Sequence, residues 1–247
     1  MIRLDQALVE RGLCESRERA RRLVVAGQVR INTRTAGKPS DPVKPEDAIS
    51  VDAPEKFVSR GGHKLEHALA HFHLQVAGQV ALDLGASTGG FTDCLLQHGI
   101  AKVFAVDVGQ GQLAWKLRSD PRVVVLEKTN ARYLEIGRMP ATFTVADLAV
   151  IDCSFISLKK ILPPAVALLK PDGKIVALIK PQFEAGKAEV DRGRGVITDA
   201  AVHDRVLEEL RAFVISLGGL EWRGVTVSPL LGPAGNKEFL GLIEKTG

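Results

Sequence analysis

Four charged residues close four short apolar runs: Asp83 after 80–82, Asp107 after 102–106, Asp152 after 148–151 and Lys180 after 174–179. Apolar runs of this length between small and polar residues predict buried strands. Three carboxylates and an ammonium at such strand ends do little for stability, because collecting charge in a low-dielectric setting is costly. They suit chemistry better. Carboxylates accept hydrogen bonds from hydroxyls and balance a cation, and a lysine that is partly neutral takes up a proton.

The first of the four opens the turn Asp83-Leu84-Gly85-Ala86-Ser87-Thr88-Gly89-Gly90-Phe91, and Thr92-Asp93-Cys94-Leu95-Leu96 leads into a helix. Small residues there leave the backbone bare beside a ligand, since a Cβ would fill the ligand's space. An acid at the end of the next strand, here Asp107, serves ribose hydroxyls in NAD and S-adenosylmethionine proteins alike. The turn departs from GxGxxG, and a pyrophosphate beside the Asp83 carboxylate would be repelled. A cofactor with no phosphate, carrying an ammonium and a sulfonium, would not be, which favours S-adenosylmethionine over NAD. The expected cofactor-binding residues are Asp83, Gly85, Ser87, Thr88, Gly89, Gly90, Phe91, Asp107, Val108, Asn130 and Asp152.

The elements that must position these groups alternate along the chain. Helical stretches at about 92–98, 112–118 and 158–169 separate the strands, with another strand at 123–126. Such alternation predicts an α/β, Rossmann-like domain: a parallel sheet with helices on both faces and its ligand outside the carboxyl ends of the strands. A helix at about 200–217 and strands near 219–227 and 238–243 complete the sheet with an antiparallel edge. The 247 residues, 45% apolar and 25% charged, are enough for a large domain with a small companion. No apolar run approaches the roughly 20 residues of a membrane span. Cys14, Cys94 and Cys153 are scattered and unpaired in pattern, which predicts reduced thiols in a cytoplasmic protein and no zinc framework.

Residues 1–60 hold 12 Lys and Arg against 9 Asp and Glu, so three of the four excess positive charges fall in the first quarter of the chain. A polyanionic partner is the natural inference. Two helices are predicted here, over 3–11 and 17–25, the second capped by Ser16. Strands follow at 28–32 and 47–51, and prolines at 39, 42, 45 and 54 break up the rest. The domain boundary is placed after residue 58, giving 1–58 and 59–247.

The stretch Ser59-Arg60-Gly61-Gly62-His63-Lys64-Leu65 starts the second domain with a loop whose backbone can approach a ligand. His63, His67 and His71 recur every four residues on the helix that follows. A polar stripe explains them better than a metal site, and no metal is expected. From 182 to 198 a basic segment predicts a mobile loop at the active edge, where Lys187, Arg192 and Arg194 reach phosphates.

The N-terminal pattern resembles the S4 RNA-binding domain. Arg3-Leu4-Asp5-x-x-Leu8, Ser16-Arg17-x-x-Ala20-x-x-Leu23-Val24-x-x-Gly27-x-Val29-x-Ile31-Asn32 and Asp47-x-Ile49-x-Val51 carry the likeness. It implies that Arg3, Arg17, Arg21, Arg22 and Arg30 contact RNA, joined by Arg60 beyond the boundary. Lys64, Asp152, Lys180 and Glu238 match in order and setting the Lys-Asp-Lys-Glu tetrad of ribose 2′-O-methyltransferases of the FtsJ type. The likeness implies a class I S-adenosylmethionine methyltransferase fold with Lys180 as general base, Lys64 beside it, Asp152 orienting it and Glu238 holding the lysines. Taken whole, the chain is similar to the TlyA family, which also bears the name hemolysin A. That similarity implies 2′-O-methylation of cytidine in ribosomal RNA, with 16S or 23S RNA or their subunits as partner. The rival readings are an RNA-binding assembly factor without catalysis and a membrane-lytic protein. Nothing in the composition favours the latter.

Overall fold

In the N-terminal part, apolar residues recur every three or four positions in two short helices, and these pack on small β pairings. The computed structural model describes residues 1–52 and 55–246, and its contacts divide the chain into the units Met1–Lys56 and Phe57–Gly247. The first unit runs β1 (Ile2–Arg3), α1 (Leu4–Glu10), α2 (Arg17–Val25), β2 (Val29–Ile31), β3 (Arg34–Thr35), β4 (Pro42–Val43) and β5 (Ile49–Val51). Strands β3, β2 and β5 form an antiparallel sheet in that order, and β1 pairs with β4. Ser16 Oγ accepts the Arg19 N–H at 3.2 Å, capping α2 as its sequence predicts. Leu4, Ala7, Leu8, Ala20, Val24, Val29 and Val43 make the core. Strands of two residues, such as β1, β3 and β4, carry no periodicity and were invisible to pattern reading.

The second unit begins with α3 (Gly61–His71) and continues β6 (Val80–Leu84), α4 (Gly90–Gln97), β7 (Lys102–Val106), α5 (Trp115–Arg118), β8 (Val123–Leu126) and β9 (Ala146–Ile151). Then come α6 (Leu162–Ala167), β10 (Leu169–Ile179), α7 (Pro181–Glu184), α8 (Lys187–Arg192), α9 (Ala200–Ser216), β11 (Leu220–Val227) and β12 (Phe239–Lys245). The seven strands lie in the order β11-β12-β10-β9-β6-β7-β8, and β12 is antiparallel to both neighbours while the rest are parallel. This is a mixed α/β, Rossmann-like architecture. The chain adds strands to one side of β6 and then, from β9, to the other, and open α/β sheets bind their ligands at such a switch point.

Strand alternation distributes the core. Leu82 and Leu84 of β6 face the layer with α6 and α9, whereas Ala81 faces Leu65, Leu69 and Leu95 of α3 and α4. Three expectations shift. The helix expected at 158–169 is a 3-10 turn, Leu158–Lys160, followed by α6, because Pro163 and Pro164 lack the N–H groups needed to continue a helix through them. The helix expected at 112–118 is confined to its last turn, α5. The segment expected to be a loop at 182–198 contains α7 and α8. No helix of the described residues is long and apolar enough to cross a membrane.

Candidate active site

The turn between β6 and α4 has the backbone that only its glycines allow. Gly85 sits at φ +88°, and a Cβ there would lie 2.7 Å from the carbonyl oxygen of Asp152. Gly89 sits at φ +98°, where a Cβ would lie 2.2 Å from Leu117. The close approach of the β6 and β9 ends is therefore built into the residue types. Asp107, at the end of β7, fixes the facing wall: its carboxylate accepts the N–H of Ser87 at 2.8 Å and of Gly109 at 2.7 Å.

Asp83 lies elsewhere than expected. It is inside β6, not at its end, fully buried, with its carboxylate accepting the Thr92 hydroxyl of α4 at 2.6 Å. Its Oδ1 is buried with no hydrogen-bond partner. Burial raises this carboxyl to about 7, the Thr92 hydrogen bond opposes the shift, and the nearby Asp152 charge adds to it.

Two adjoining cavities open at the strand ends. One of about 500 Å³ is lined by Ser59, Arg60, Lys64, Thr88, Gly90, Phe91, Asp152, Lys180 and Glu238, among others. The other, about 320 Å³, is lined by Asp107, Val108, Asn130, Cys153 and Phe155, among others. Gly85, Ser87, Asp152 and Ser154 border both. Of the expected cofactor residues, Gly89 supports the turn from below and Asp83 lies beneath it. Neither lines these cavities.

The four residues expected to form a tetrad line the larger cavity as two ion pairs. Lys64, on the first turn of α3, places Nζ 2.5 Å from Oε2 of Glu238, which directly precedes β12. Lys180 ends β10 and places Nζ 2.6 Å from Oδ1 of Asp152. Its aligned hydrogen bond goes to the Ser154 hydroxyl at 2.8 Å. Lys64, Lys180 and Glu238 are each less than a tenth exposed. Between Asp152 and Ser154, the Cys153 thiol is pushed up to about 12, by burial first and by the Asp152 charge second.

Several neighbours carried no signal in their residue type. Phe155 stands at φ +62° and is 91% exposed, beside the Phe183 ring at 5.2 Å. The Glu184 carboxylate accepts the Ser157 hydroxyl at 2.6 Å and the Leu158 N–H at 2.7 Å. Asn236, almost wholly buried, donates to the Gly195 carbonyl at 2.8 Å and accepts the Ile197 N–H at 2.9 Å. It thereby ties the segment after α8 to the chain that carries Glu238.

The basic residues fall in three places. In the first unit, Arg3, Arg17 and Arg21, each about half exposed, converge within 3.1 Å on the buried Asp5 carboxylate. Arg22 lies 4.0 Å from Glu18, and Arg30 pairs with Asp52 at 3.2 Å. In the second unit, Arg60 donates to the Leu231 carbonyl at 3.2 Å on the cavity rim, Lys187 and Arg192 bound α8, and Arg194 follows at φ +50°. The histidines of α3 have ordinary partners: His63 packs on Phe57, and His67 stacks on His71 and meets the Thr226 hydroxyl at 3.2 Å. Among the described residues, no group of three or more His, Cys, Asp or Glu is placed to hold a metal ion.

Fold and site together define a Rossmann-like methyltransferase preceded by an S4 domain. Residues 57–245 match the FtsJ-like methyltransferase family and residues 2–49 match the S4 domain. Over 241 residues the chain is 48% identical to the Mycobacterium tuberculosis 16S/23S rRNA (cytidine-2′-O)-methyltransferase TlyA, covering 96% of this chain and 87% of that one. It is 41% identical to Hemolysin A of Brachyspira hyodysenteriae, covering 97% and 98%. A solved Streptococcus thermophilus protein provisionally named a hemolysin is 44% identical, with a TM-score of 0.75 over 99% of this chain and 88% of that one. The chain belongs to the TlyA family of FtsJ-like methyltransferases.

Proposed function

We propose that this protein transfers a methyl group from S-adenosylmethionine to the 2′-hydroxyl of a ribose in ribosomal RNA, with cytidine as the target nucleoside. The observation that carries the reading is the buried Lys180 amine, held by Asp152 and Ser154 in a cavity that borders the glycine turn. The target is supported by the name of the Mycobacterium tuberculosis relative, a 16S/23S rRNA (cytidine-2′-O)-methyltransferase.

The residues present fit the cofactor. Gly85 leaves a floor where a side chain would collide with Asp152, Asp107 keeps unused lone pairs toward ribose hydroxyls, and Val108 and Asn130 border the smaller cavity. Asp152, at the junction of the two cavities, offers negative charge to a sulfonium. Bound there, S-adenosylmethionine would supply an electrophilic methyl group.

The chain's own residues then have to align a weakly acidic hydroxyl and remove its proton. Lys180, as the neutral amine, takes that proton: the ribose O–H bond breaks and an N–H bond forms. Asp152 stabilises the resulting ammonium. Lys64, fixed by Glu238, presents a second positive charge to the same cavity and draws in the hydroxyl or its phosphate. Phe155, extended into solvent at the smaller, adjoining cavity, offers a face on which an unstacked base can lie. In the first unit the arginines around Asp5, with Arg22 and Arg30, suit phosphate oxygens through their planar donor forks, and in the second unit Arg60, Lys187, Arg192 and Arg194 offer positive charge to phosphates.

The test is to incubate the protein with ribosomal subunits and methyl-labelled S-adenosylmethionine, then hydrolyse the RNA with alkali. The proposal expects label in an alkali-resistant dinucleotide containing 2′-O-methylcytidine. Label on a base, or none in either subunit, would refute it. No incorporation together with tight RNA binding would favour the assembly-factor reading.

A further inference from the structure

We propose that Ser154 is a positioning residue for Lys180, its hydroxyl acting with the Asp152 carboxylate to aim the amine's lone pair into the substrate cavity. The inference rests on Lys180 being the base and extends that reading to a residue outside the tetrad.

The chemistry of a primary amine makes the arrangement informative. A protonated lysine has three N–H donors, whereas the neutral form has two and a lone pair. Nζ of Lys180 donates its one aligned hydrogen bond to Ser154 Oγ at 2.8 Å, while Asp152 Oδ1, 2.6 Å away, attracts the amine as a charge without accepting an aligned hydrogen bond. The Phe183 ring centroid, at 5.9 Å, is too far to compete for an N–H. With one N–H of the neutral amine held by Ser154 and the carboxylate drawing the other, the lone pair is left to the cavity, which Lys180 lines at 8% exposure.

Asp152 alone would not achieve this. Attraction to a charge without an aligned hydrogen bond leaves the amine free to turn about its Cε–Nζ bond. The aligned bond to Ser154 restricts that rotation, and with it the orientations in which an N–H faces the ribose hydroxyl. Preorganisation of this kind raises the fraction of bound complexes that can react, without adding to binding.

The hydroxyl is itself held. Ser154 is followed by Phe155 in the left-handed region, a conformation disfavoured for a bulky residue. Two residues further on, Ser157 and Leu158 donate to Glu184, which ends the turn after Lys180. The loop that carries Ser154 is thus tied to the segment that carries the amine. Ser154 is exposed, and no demand of core packing explains a hydroxyl at this point.

The experiment measures methyl transfer by wild type, Ser154→Ala, Ser154→Thr, Lys180→Ala and the Ser154→Ala/Lys180→Ala pair across pH, with cofactor binding and melting as folding controls. Ser154→Ala should lower kcat about tenfold with both KM values unchanged, the loss of roughly one hydrogen bond to a charged group. The acid limb of its pH–rate profile should move to lower pH, because the charged amine has lost an acceptor. Threonine should restore most of kcat, and the pair should be no slower than Lys180→Ala alone. Unchanged kcat in Ser154→Ala, a raised RNA KM with kcat kept, or losses that multiply with Lys180→Ala would overturn the proposal. Full activity in Lys180→Ala would remove the base reading itself, a result seen separately in the same set.

Discussion

Replacing Glu238 with glutamine leaves the Lys64 ammonium in the cavity wall without its counter-charge. Both side chains are buried, 9% and 1% exposed, with Nζ 2.5 Å from Oε2. Water reaches neither group well, so the small value of a surface ion pair, under about 1 kcal/mol, does not apply. Removing one partner of a buried pair costs about 3–5 kcal/mol, chiefly because the other charge stays desolvated. For a domain of this size each kcal/mol moves Tm by about 2–4 °C, so Glu238→Gln should melt roughly 6–20 °C below wild type. Adding Lys64→Met removes the stranded charge, and the double variant should recover most of that loss, since apolar replacement of a whole buried pair is often neutral. Methyl transfer should not return with it, because the second cation of the cavity is then gone. Calorimetric melting of wild type, both single variants and the pair reads the first effect, and labelled methyl incorporation reads the second. A Glu238→Gln protein melting within about 2 °C of wild type, or a double variant less stable than either single, would refute the reasoning.

Two further predictions concern buried carboxylates. Asp83 is raised to about 7 by burial, above its unfolded value near 4, so its contribution to stability is greatest below about pH 4 and is lost as pH rises toward 7. Asp83→Asn cannot ionise, and its stability relative to wild type should therefore climb between pH 4 and 8, by up to about 4 kcal/mol. Denaturant midpoints that stay parallel across that range would contradict it. Asp5 is shifted the other way, held well below the usual carboxylate range by Arg3 first and by Arg21 and Arg17 as well, against the effect of burial. Its stabilisation is present above about pH 4 and lost as pH falls below that, so Asp5→Asn should cost about 1–3 kcal/mol at pH 7, toward the low end because the arginines are half in solvent, and progressively less in acid. A penalty that does not fade in acid would point to packing, not charge.

The strand ends were readable because buried parallel strands show as apolar runs, and a charge that closes such a run marks the edge where a ligand binds. Lys180 and Asp152 were placed that way, and the structure has them 2.6 Å apart. Asp83 looked the same in sequence and is not the same in space. The run continues through Leu84, and Asp83 is an interior residue whose partner, Thr92, lies in the next helix. Pattern reading has no means to tell a strand-ending acid from a buried one with a partner nine residues on. Ser154 and Asn236 were equally silent, since a serine or an asparagine in a loop has many ordinary uses. Their meaning comes from the distances to Lys180 and to the Gly195–Ile197 backbone. In the N-terminal unit the arginines were visible as charge, but their convergence on Asp5 joins residues 12 and 16 positions apart and needed the fold.

The central claim is that a lysine held at the end of β10 removes the ribose proton. Labelled methyl transfer to ribosomal subunits by Lys180→Ala, measured beside its cofactor and RNA affinities, tests it most directly. The account predicts unchanged binding of both ligands and turnover lower by about 10²–10⁴, the usual worth of a general base. Wild-type turnover in a Lys180→Ala protein that binds cofactor and RNA normally would contradict it.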